Sequence, residues 1–290
     1  MVPRFLLSTT ILASFAAVWS WSPASAGDQS SAPAYPYDPS LPAVSKLNAR
    51  LEGAFGEFDD KSVAAFQGSV ATPLGHSYGA QIDVPAGGWD GRSLVGAAGH
   101  LFWRDPAFAL IGLYGIGYHS DATRELVFDP NTGATTNITG FDLGRIGLEA
   151  HLYRGPFTVQ ARAGWEVSTT TSRFFDEVDL VYYAFPELRL AAGHRYVGGL
   201  NAAAFSAEYQ ALRGVGVFAE GLVGEQSFQA VIGGVRIYFD TDKSLIRRDR
   251  EDILPGDLPS DLFALSRAMT RTSLPVSTAP PPPPCLNCGP

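Results

Sequence analysis

The sequence has few charges and, once its first residues are set aside, no long apolar run. Charged residues make up 17% of the 290 residues, and the net charge is −8. This acidic balance, without a basic patch, argues against nucleic acid as a partner. After Ala26 no stretch approaches the ~18 consecutive apolar residues that indicate a membrane-spanning helix. Any membrane span must therefore consist of strands.

Cysteine is also scarce: the chain has two, Cys285 and Cys288, close to its C-terminus. A thioredoxin-type pair needs a strand–helix context, and a structural zinc site needs four ligands; both contexts are missing. The spacing therefore predicts a small-loop disulfide in an oxidising compartment. No cysteine lies near the cleavage site described next, which argues against a lipoprotein anchor. No cofactor or metal is predicted.

The N-terminus has the layout of a secretory signal peptide. Arg4 precedes an apolar run from Phe5 to Val18, and Ala24-Ser25-Ala26 forms a small-residue cleavage site. We assign residues 1–26 to the signal peptide. Residues 27–45 are rich in Ser, Pro, Ala and Tyr, and we interpret them as a linker.

From residue 47 onward, short segments alternate apolar and polar residues. The clearest segment runs from Phe157 to Val167: its odd positions are apolar, and its even positions carry Gln160, Arg162, Glu166 or small and polar residues. In a strand these two sets point to opposite faces. A soluble barrel buries the apolar face, whereas a barrel in lipid turns it outward and keeps its charges in the lumen.

The segments indicate about twelve strands (roughly 10–14) within residues 46–240. Links after even-numbered strands are tight, as at Arg154-Gly155-Pro156, whereas links after odd-numbered strands tend to be longer, with the longest from Ser120 to Asn137. This asymmetry is typical of outer-membrane barrels with both termini in the periplasm. The predicted fold class is all-β: a transmembrane antiparallel up-and-down β-barrel.

In these features the chain resembles the outer-membrane β-barrel proteins of Gram-negative bacteria, porin-like or OmpA-like in the broad sense. The resemblance rests on the signal peptide, the inverted alternation, the link asymmetry and the aromatic closing strand Val231–Phe239. It carries no family-specific motif. It implies a location in the cell outer membrane, among lipid and lipopolysaccharide. One departure is that about fifty residues follow Phe239, whereas in such barrels the closing strand usually ends the chain.

Residues 241–290 are predicted to form a Pro-rich, mostly disordered periplasmic tail. Within it, Leu258–Thr270 has the pattern of a short amphipathic helix with Ser260 as N-cap candidate. Pro280–Pro284 is a polyproline stretch that cannot build a core. The tail is a candidate spacer or peptide ligand.

The candidate site is the charged face of the strands. Its residues either line a constriction that selects solutes by charge, or pair with one another and fill a narrow barrel. The surplus of arginine slightly favours anionic solutes. By parity, the lumen candidates are Arg145, Glu149, Arg162, Glu166, Arg189, Arg195, Glu208, Glu220 and Arg236.

The predicted function is a narrow porin-like channel for passive diffusion of small hydrophilic solutes. The alternative is a plugged structural barrel that binds partners through its loops or tail and supports envelope integrity. An outer-membrane hydrolase acting on lipid or peptide is a third hypothesis, with His119 and His151 as its candidates. Neither histidine has neighbours at a spacing that indicates a triad, so no enzyme activity is predicted. The sequence leaves the solute and the oligomeric state open.

Overall fold

The residues that the computed structural model describes are 40–58, 60–128, 135–169, 172–226, 228–239, 243–256 and 261, with backbone alone for 122–128 and 135–139. The predicted signal peptide, residues 1–26, lies outside the described residues, as do Cys285 and Cys288. Within the described ranges no helix is long and apolar enough to cross a membrane.

Antiparallel strands make up almost all of the described fold. Their bounds are β1 (Asn48–Phe58), β2 (Lys61–Pro73), β3 (Tyr78–Trp89), β4 (Arg92–Asp105), β5 (Ala109–Phe128), β6 (Thr135–Arg154), β7 (Phe157–Ser168), β8 (Ser172–Phe185), β9 (Leu188–Val197), β10 (Leu200–Leu212), β11 (Val215–Gly224) and β12 (Gln229–Tyr238). The strands fall inside the predicted range 46–240.

Each strand pairs with its sequence neighbours, and β12 pairs with β1, so the sheet is a closed barrel. The closing register puts Glu52 opposite Arg236. The predicted up-and-down barrel of about twelve strands is confirmed. Closure leaves no sheet edge with unpaired backbone groups, which is the condition for a barrel in lipid.

The barrel has two ends. We call the end where β1 begins and β12 ends the terminal end; the turns after even-numbered strands lie there, and the turns after odd-numbered strands lie at the far end. Links are short at both ends, as at Asp90-Gly91 and Gly198-Gly199 at the far end. The predicted difference in link length is therefore mostly absent.

The long loop predicted for 120–137 is largely strand. β5 and β6 have 20 residues each and stay paired beyond Ser120, as at Thr123↔Thr139, after a register irregularity. β-branched residues at this point favour continued pairing over a loop. The link itself shortens to residues 129–134, which lie outside the described residues.

The outward face of the barrel is apolar and the inward face is polar. Along β6, Ile146 and Leu148 are 69% and 61% exposed, whereas Arg145 and Glu149 are buried. Other outward side chains such as Phe55 and Phe66 repeat the pattern. A continuous apolar exterior of this kind indicates contact with something other than water.

After β12 the chain folds back into the barrel at the terminal end. Residues Leu245–Glu251 form helix α1, and Asp252–Gly256 follow it inside the lumen; we call residues 243–256 the plug. Leu245 and Leu254 are fully buried, in an apolar cluster with Val44 and Phe102 of the barrel and its entry segment. The first part of the predicted disordered tail is therefore ordered, because its apolar residues are covered by the barrel interior.

Candidate functional site

The first group of lumen charges is centred on Arg236 of β12. Its guanidinium lies 2.7 Å from Glu52 of β1 and 2.7 Å from Glu220 of β11, and it also pairs with Glu208 of β10. The same guanidinium lies 4.0 Å from the ring centre of Phe218. We call Arg236 and these three carboxylates the Arg236 cluster. All four charged side chains come from strands, so this cluster belongs to the wall itself.

A second group is centred on Arg145 of β6. It lies 3.4 Å from Glu166 of β7 and 3.2 Å from Glu177 of β8. The register of β6 and β7 sets Arg145 directly opposite Glu166. A third carboxylate, Asp261, comes from the segment after the plug and lies 2.9 Å from Arg145. We call these four residues the Arg145 cluster.

A third group surrounds His100 of β4. The imidazole lies between Asp83 of β3, at 3.2 Å, and Glu149 of β6, at 3.0 Å. Arg162 of β7 lies 3.7 Å from Glu149 and 3.5 Å from Glu177, so it links this group to the Arg145 cluster. The carboxylates on both sides of the ring hold it as the centre of a buried hydrogen-bonded network.

Two further arginines face the lumen from β9. Arg195 makes a bidentate pair with Asp179 of β8, with both nitrogen–oxygen distances at 2.8 Å. Arg189 donates hydrogen bonds to Ser206 and Gln160. Two parallel hydrogen bonds align the guanidinium plane of Arg195 with the carboxylate plane of Asp179, so the Arg195 side chain is held against the wall.

A cavity of about 50 Å³ remains between this wall and the plug. Arg162, Arg189 and Arg195 line it on the wall side, and Pro255 and Gly256 line it on the plug side. The volume is of the order that a few water molecules occupy. The cavity is therefore too small for a hydrophilic solute in this arrangement.

The plug is held partly through its own backbone. The side-chain amide of Gln81 accepts a hydrogen bond from the Leu254 N–H at 2.6 Å and donates one to the Leu254 carbonyl at 3.3 Å. Arg50 donates to the same carbonyl at 3.1 Å. A Cβ on Gly256 would lie 3.0 Å from the end atoms of Arg50 and Gln67. The wall thus contacts an extended segment closely and satisfies its buried amide groups.

Arginines on both sides bind main-chain oxygens at the terminal end. Arg250 of α1 donates to the carbonyls of Gly155, at 2.8 Å, and Phe157, at 2.9 Å, at the turn between β6 and β7. Arg104 of β4 donates to the Asp252 carbonyl at 3.3 Å. Backbone oxygens are accessible acceptors at strand ends and after a helix C-terminus, where the ladder leaves them unpaired.

Ion pairs and one tyrosine complete the attachment. Tyr183 of β8 donates a hydrogen bond to Asp249 at 2.5 Å, and Arg189 lies 3.5 Å from the same carboxylate. Burial raises the pKa of Asp249, and the charge of Arg189 opposes that shift. Lys243, at the start of the plug, donates a hydrogen bond to the Ser45 hydroxyl of the entry segment at 2.9 Å. The plug is therefore fastened at its beginning, along its helix and at its end.

The nine predicted lumen residues all belong to strands and point inward, where each takes part in an ion pair or hydrogen bond. Their role in lining a pore stays a prediction. The ion pairs that involve them include Arg145–Glu166, Arg162–Glu149, Arg189–Asp249, Arg195–Asp179, Arg236–Glu208 and Arg236–Glu220.

Sequence reasoning missed the residues that hold the plug, among them Gln81, Arg104, Asp249 and Arg250. Two-residue alternation puts Gln81 on the polar face of residues 78–84, although it does not mark Gln81 as a plug contact. The same alternation in β4 is the signal that would have found Arg104. It would also have found His100, which alternates with outward Leu101. No local pattern marks Asp249 and Arg250 as lumen residues, because their partners are in distant strands.

The two histidines of the enzyme hypothesis do not come together. His119 lies at the far end, where its ring is 2.8 Å from exposed Asp142. His151 is buried in the lumen and is opposite Leu110, near the terminal end of β5. Among the described residues, no three His, Cys, Asp or Glu side chains are arranged to hold a metal ion.

Comparison with known proteins finds the barrel fold alone. No protein-family model matches the sequence, and no curated protein matches it. Among solved structures, the chain is similar to the KdgM porin in complex with disordered oligogalacturonate, with 8% identity and a TM-score of 0.49 over 66% of this chain and 99% of that one. It is similar to Omp33 of Acinetobacter baumannii, with 11% identity and a TM-score of 0.42 over 67% and 99% of the two chains.

A third similar structure is outer membrane phospholipase A from Escherichia coli, with 13% identity and a TM-score of 0.41 over 66% of this chain and 92% of that one. At these identities the likeness concerns the fold and carries no argument about solutes or catalysis.

Proposed function

We propose that this chain is an outer-membrane β-barrel that acts as a porin-like channel for small hydrophilic solutes and is closed by its own plug. The observation that carries the proposal is the separation of two sets of lumen contacts. The Arg236 cluster joins strand to strand, whereas Gln81, Arg104 and Arg250 join the wall to the plug. A wall with its own charge pairs keeps a polar lumen when the plug leaves.

Placement in a membrane is supported by the exterior. Outward side chains such as Phe55, Phe66 and Ile146 are about 70% exposed, which water would disfavour and lipid favours. Most strands have 10–14 residues, enough for the ~9–11 residues of a tilted membrane-spanning strand. Chain termini and even-numbered turns lie on the periplasmic side in outer-membrane barrels, so we assign the terminal end to the periplasm.

Control by the plug is supported by the way it is bound. Its polar contacts include hydrogen bonds from Gln81, Arg50 and Arg104 to its main chain. The ion pair of Asp249 and the burial of Leu245 and Leu254 add to them. Each such hydrogen bond contributes only about 0.5–1.5 kcal/mol net, or somewhat more with a charged partner. A set of modest, separate bonds can be exchanged for water without unfolding the wall.

A second candidate is a permanently plugged structural barrel. The observation in its favour is Asp261, which adds a buried ion pair to Arg145 well inside the barrel. In this reading the lumen charges serve rigidity, and partners bind to the loops or the end of the chain. Lipopolysaccharide and outer-membrane lipid surround the protein in both readings.

Single-channel conductance in planar bilayers separates the two candidates. We compare the full mature chain with a variant that ends at Phe239 and a control that ends at Gly256, which keeps the plug. We expect the full chain and the control to be mostly closed, and the variant without the plug to conduct steadily. Folding of each is checked by its heat-modifiable gel shift.

Silence of the folded variant that ends at Phe239 would reject the channel and leave the structural barrel. Steady conductance of the full chain, equal to that of the shortest variant, would show that the plug does not close the lumen. Both outcomes are independent of the solute, because small ions carry the current.

A further inference from the structure

The arginines that face the lumen from the strands have two kinds of partner. Some, such as Arg236, pair with carboxylates of neighbouring strands. Arg50 of β1, Arg104 of β4 and Arg189 of β9 contact the plug, and we call these three the plug-facing arginines. Among the described residues, no carboxylate of the wall lies within ion-pair distance of any of them. The ion pair that this set does make is with Asp249 of the plug.

The plug presents oxygen atoms to these arginines at positions two or three residues apart. The contacts are Arg189 to the Asp249 carboxylate at 3.5 Å, Arg104 to the Asp252 carbonyl at 3.3 Å and Arg50 to the Leu254 carbonyl at 3.1 Å. Two of the three acceptors are therefore neutral. A guanidinium binds a carboxylate or a phosphate through two parallel N–H groups, which a single carbonyl oxygen cannot match. The plug thus uses only part of what Arg50 and Arg104 offer.

Buried donors near the plug confirm that its fit to the wall is incomplete. Arg104 is 2% exposed, yet its Nε and Nη2 make no hydrogen bond within the part of the chain that the structure describes. The same holds for Nε of Arg50. A buried polar group without a partner costs free energy. An occupant with more acceptor atoms than the plug would therefore bind this part of the wall more favourably.

The donors around Arg104 form a patch. Arg104 is opposite Leu110 of β5, and Leu110 is opposite His151 of β6, so Arg104 and His151 lie in one row of the inner face. Two strand spacings are about 10 Å, much of which an extended arginine side chain spans. Nδ1 of His151 and the hydroxyl of Tyr153, two residues further along β6, also make no hydrogen bond to a described residue. The patch therefore suits a ligand group with several oxygen atoms.

The cations of the plug leave no matching negative site on the wall at their contacts. Arg250 donates to the carbonyls of Gly155 and Phe157, and Arg248 donates to the side-chain oxygen of Gln210 at 3.2 Å. These acceptors are uncharged. Release of the plug at these contacts therefore exposes neutral oxygens, whereas release from the plug-facing arginines exposes positive charge.

We propose that the solutes of this channel are anions with carboxylate or phosphate groups, which compete with the plug for the plug-facing arginines. This inference rests on the channel function proposed above. An oxyanion at Arg104 replaces the Asp252 carbonyl and offers acceptors to the donors that the plug leaves without partners. A ligand that binds the open state alone multiplies the population of that state by 1 + [L]/Kd. Binding of the solute therefore opens the path that the solute takes.

Single-channel recording of the full mature chain tests this competition. Citrate is the carboxylate probe and pyrophosphate is the phosphate probe. Each replaces chloride at constant ionic strength, on both sides of the bilayer and in solutions without divalent cations. The measured quantity is the ratio of open to closed time. At about nine times the Kd of the open state, a probe should multiply this ratio about tenfold over chloride alone.

Three variants separate the anion site from the general hold on the plug. Arg104→Gln removes the guanidinium from the site and should reduce the multiplication by the probe towards one. Arg250→Gln weakens the plug from its own side and keeps the plug-facing arginines. It should raise the ratio measured in chloride and leave the multiplication unchanged, because that factor does not depend on the starting ratio. Arg154→Gln, at an exposed arginine of β6, removes the same charge and should behave like the unchanged chain.

The outcomes for inference and channel can be told apart. Equal multiplication in folded Arg104→Gln and Arg250→Gln would overturn the inference, as would an unchanged chain that conducts but responds to neither probe. In both cases the plugged channel would stand. A response to one probe alone supports the inference and identifies the oxyanion as a carboxylate or a phosphate. If neither the full chain nor the variant that ends at Phe239 conducts, the channel itself is rejected and this inference with it.

Discussion

The Arg236 cluster and the plug contacts lie in the same lumen but are built differently. Around Arg236, one guanidinium balances three carboxylates from three other strands. Around the plug, wall side chains such as Gln81 and Arg104 bind main-chain groups of a segment that follows the barrel. The difference indicates that the Arg236 cluster stabilises the barrel, whereas the contacts between wall and plug determine whether its lumen is filled.

The largest expected effect is on barrel stability and comes from breaking the Arg236 cluster. Arg236→Met leaves Glu52, Glu208 and Glu220 buried without their shared cation, and the loss of one partner from a buried ion pair costs about 3–5 kcal/mol. We expect the free energy of unfolding in lipid vesicles, measured with urea, to fall by that amount. Arg154→Met, at an exposed arginine of β6, is the matched control and should leave the unfolding midpoint unchanged. Equal midpoints for the two variants would remove the structural role of the cluster.

A smaller effect is expected from breaking the contacts between the wall and the plug. Gln81→Leu removes both hydrogen bonds to Leu254 and weakens plug binding by about 2 kcal/mol. It also removes the contact of Gln81 with Asp83, which keeps its partner His100. The fraction of time that the channel is open should then rise by roughly thirtyfold, with little change in barrel unfolding. Gln160→Leu is the control, since Gln160 is also a lumen glutamine but its bond is to Arg189 of the wall. Equal open fractions for the two variants would contradict the distinction between contacts within the wall and contacts between wall and plug.

The smallest effect is a pH dependence of the plug. Burial raises the pKa of Asp249 in the bound plug above that of the same carboxyl in a released, solvated plug. The bound state therefore takes up a proton more readily, so plug binding strengthens as pH falls and weakens as pH rises through the raised value.

Conductance recorded from about pH 4, the ordinary range of an aspartate, upward should accordingly show fewer openings at the acid end. Arg189, Glu208, Tyr183 and Arg236 act on Asp249; the two arginines and the hydrogen bond from Tyr183 limit the upward shift of its pKa. Asp249→Asn should flatten the pH profile. An unchanged profile in that variant would assign the dependence to another group.

Local periodicity explains why the wall could be predicted. Arg145 and Ile146 are neighbours on opposite faces, and two-residue alternation alone separates lumen from exterior. The same rule holds for Arg162 and Glu166 on β7. Pairing on the inner face then follows from register, as for Arg145 opposite Glu166.

The plug could not be predicted in the same way. Gln81 and Leu254 are 173 residues apart, and Arg104 and Asp252 are 148 residues apart. Seven helical residues with five charges resemble a solvated turn when they are considered alone. The residues of α1 become buried because the lumen offers polar partners and apolar surface that match them. That lumen exists only after the barrel closes.

The position of the plug after β12 has a consequence for assembly. β1 and β12 close the ring, and the chain turns inward a few residues after the last strand. The plug either lies inside before the seam between β1 and β12 forms or enters a finished ring from the terminal end. We expect the former, since Glu52 and Arg236 face each other across that seam and lock it. Pairing of β1 with β12 would then be the step that encloses the plug in the lumen.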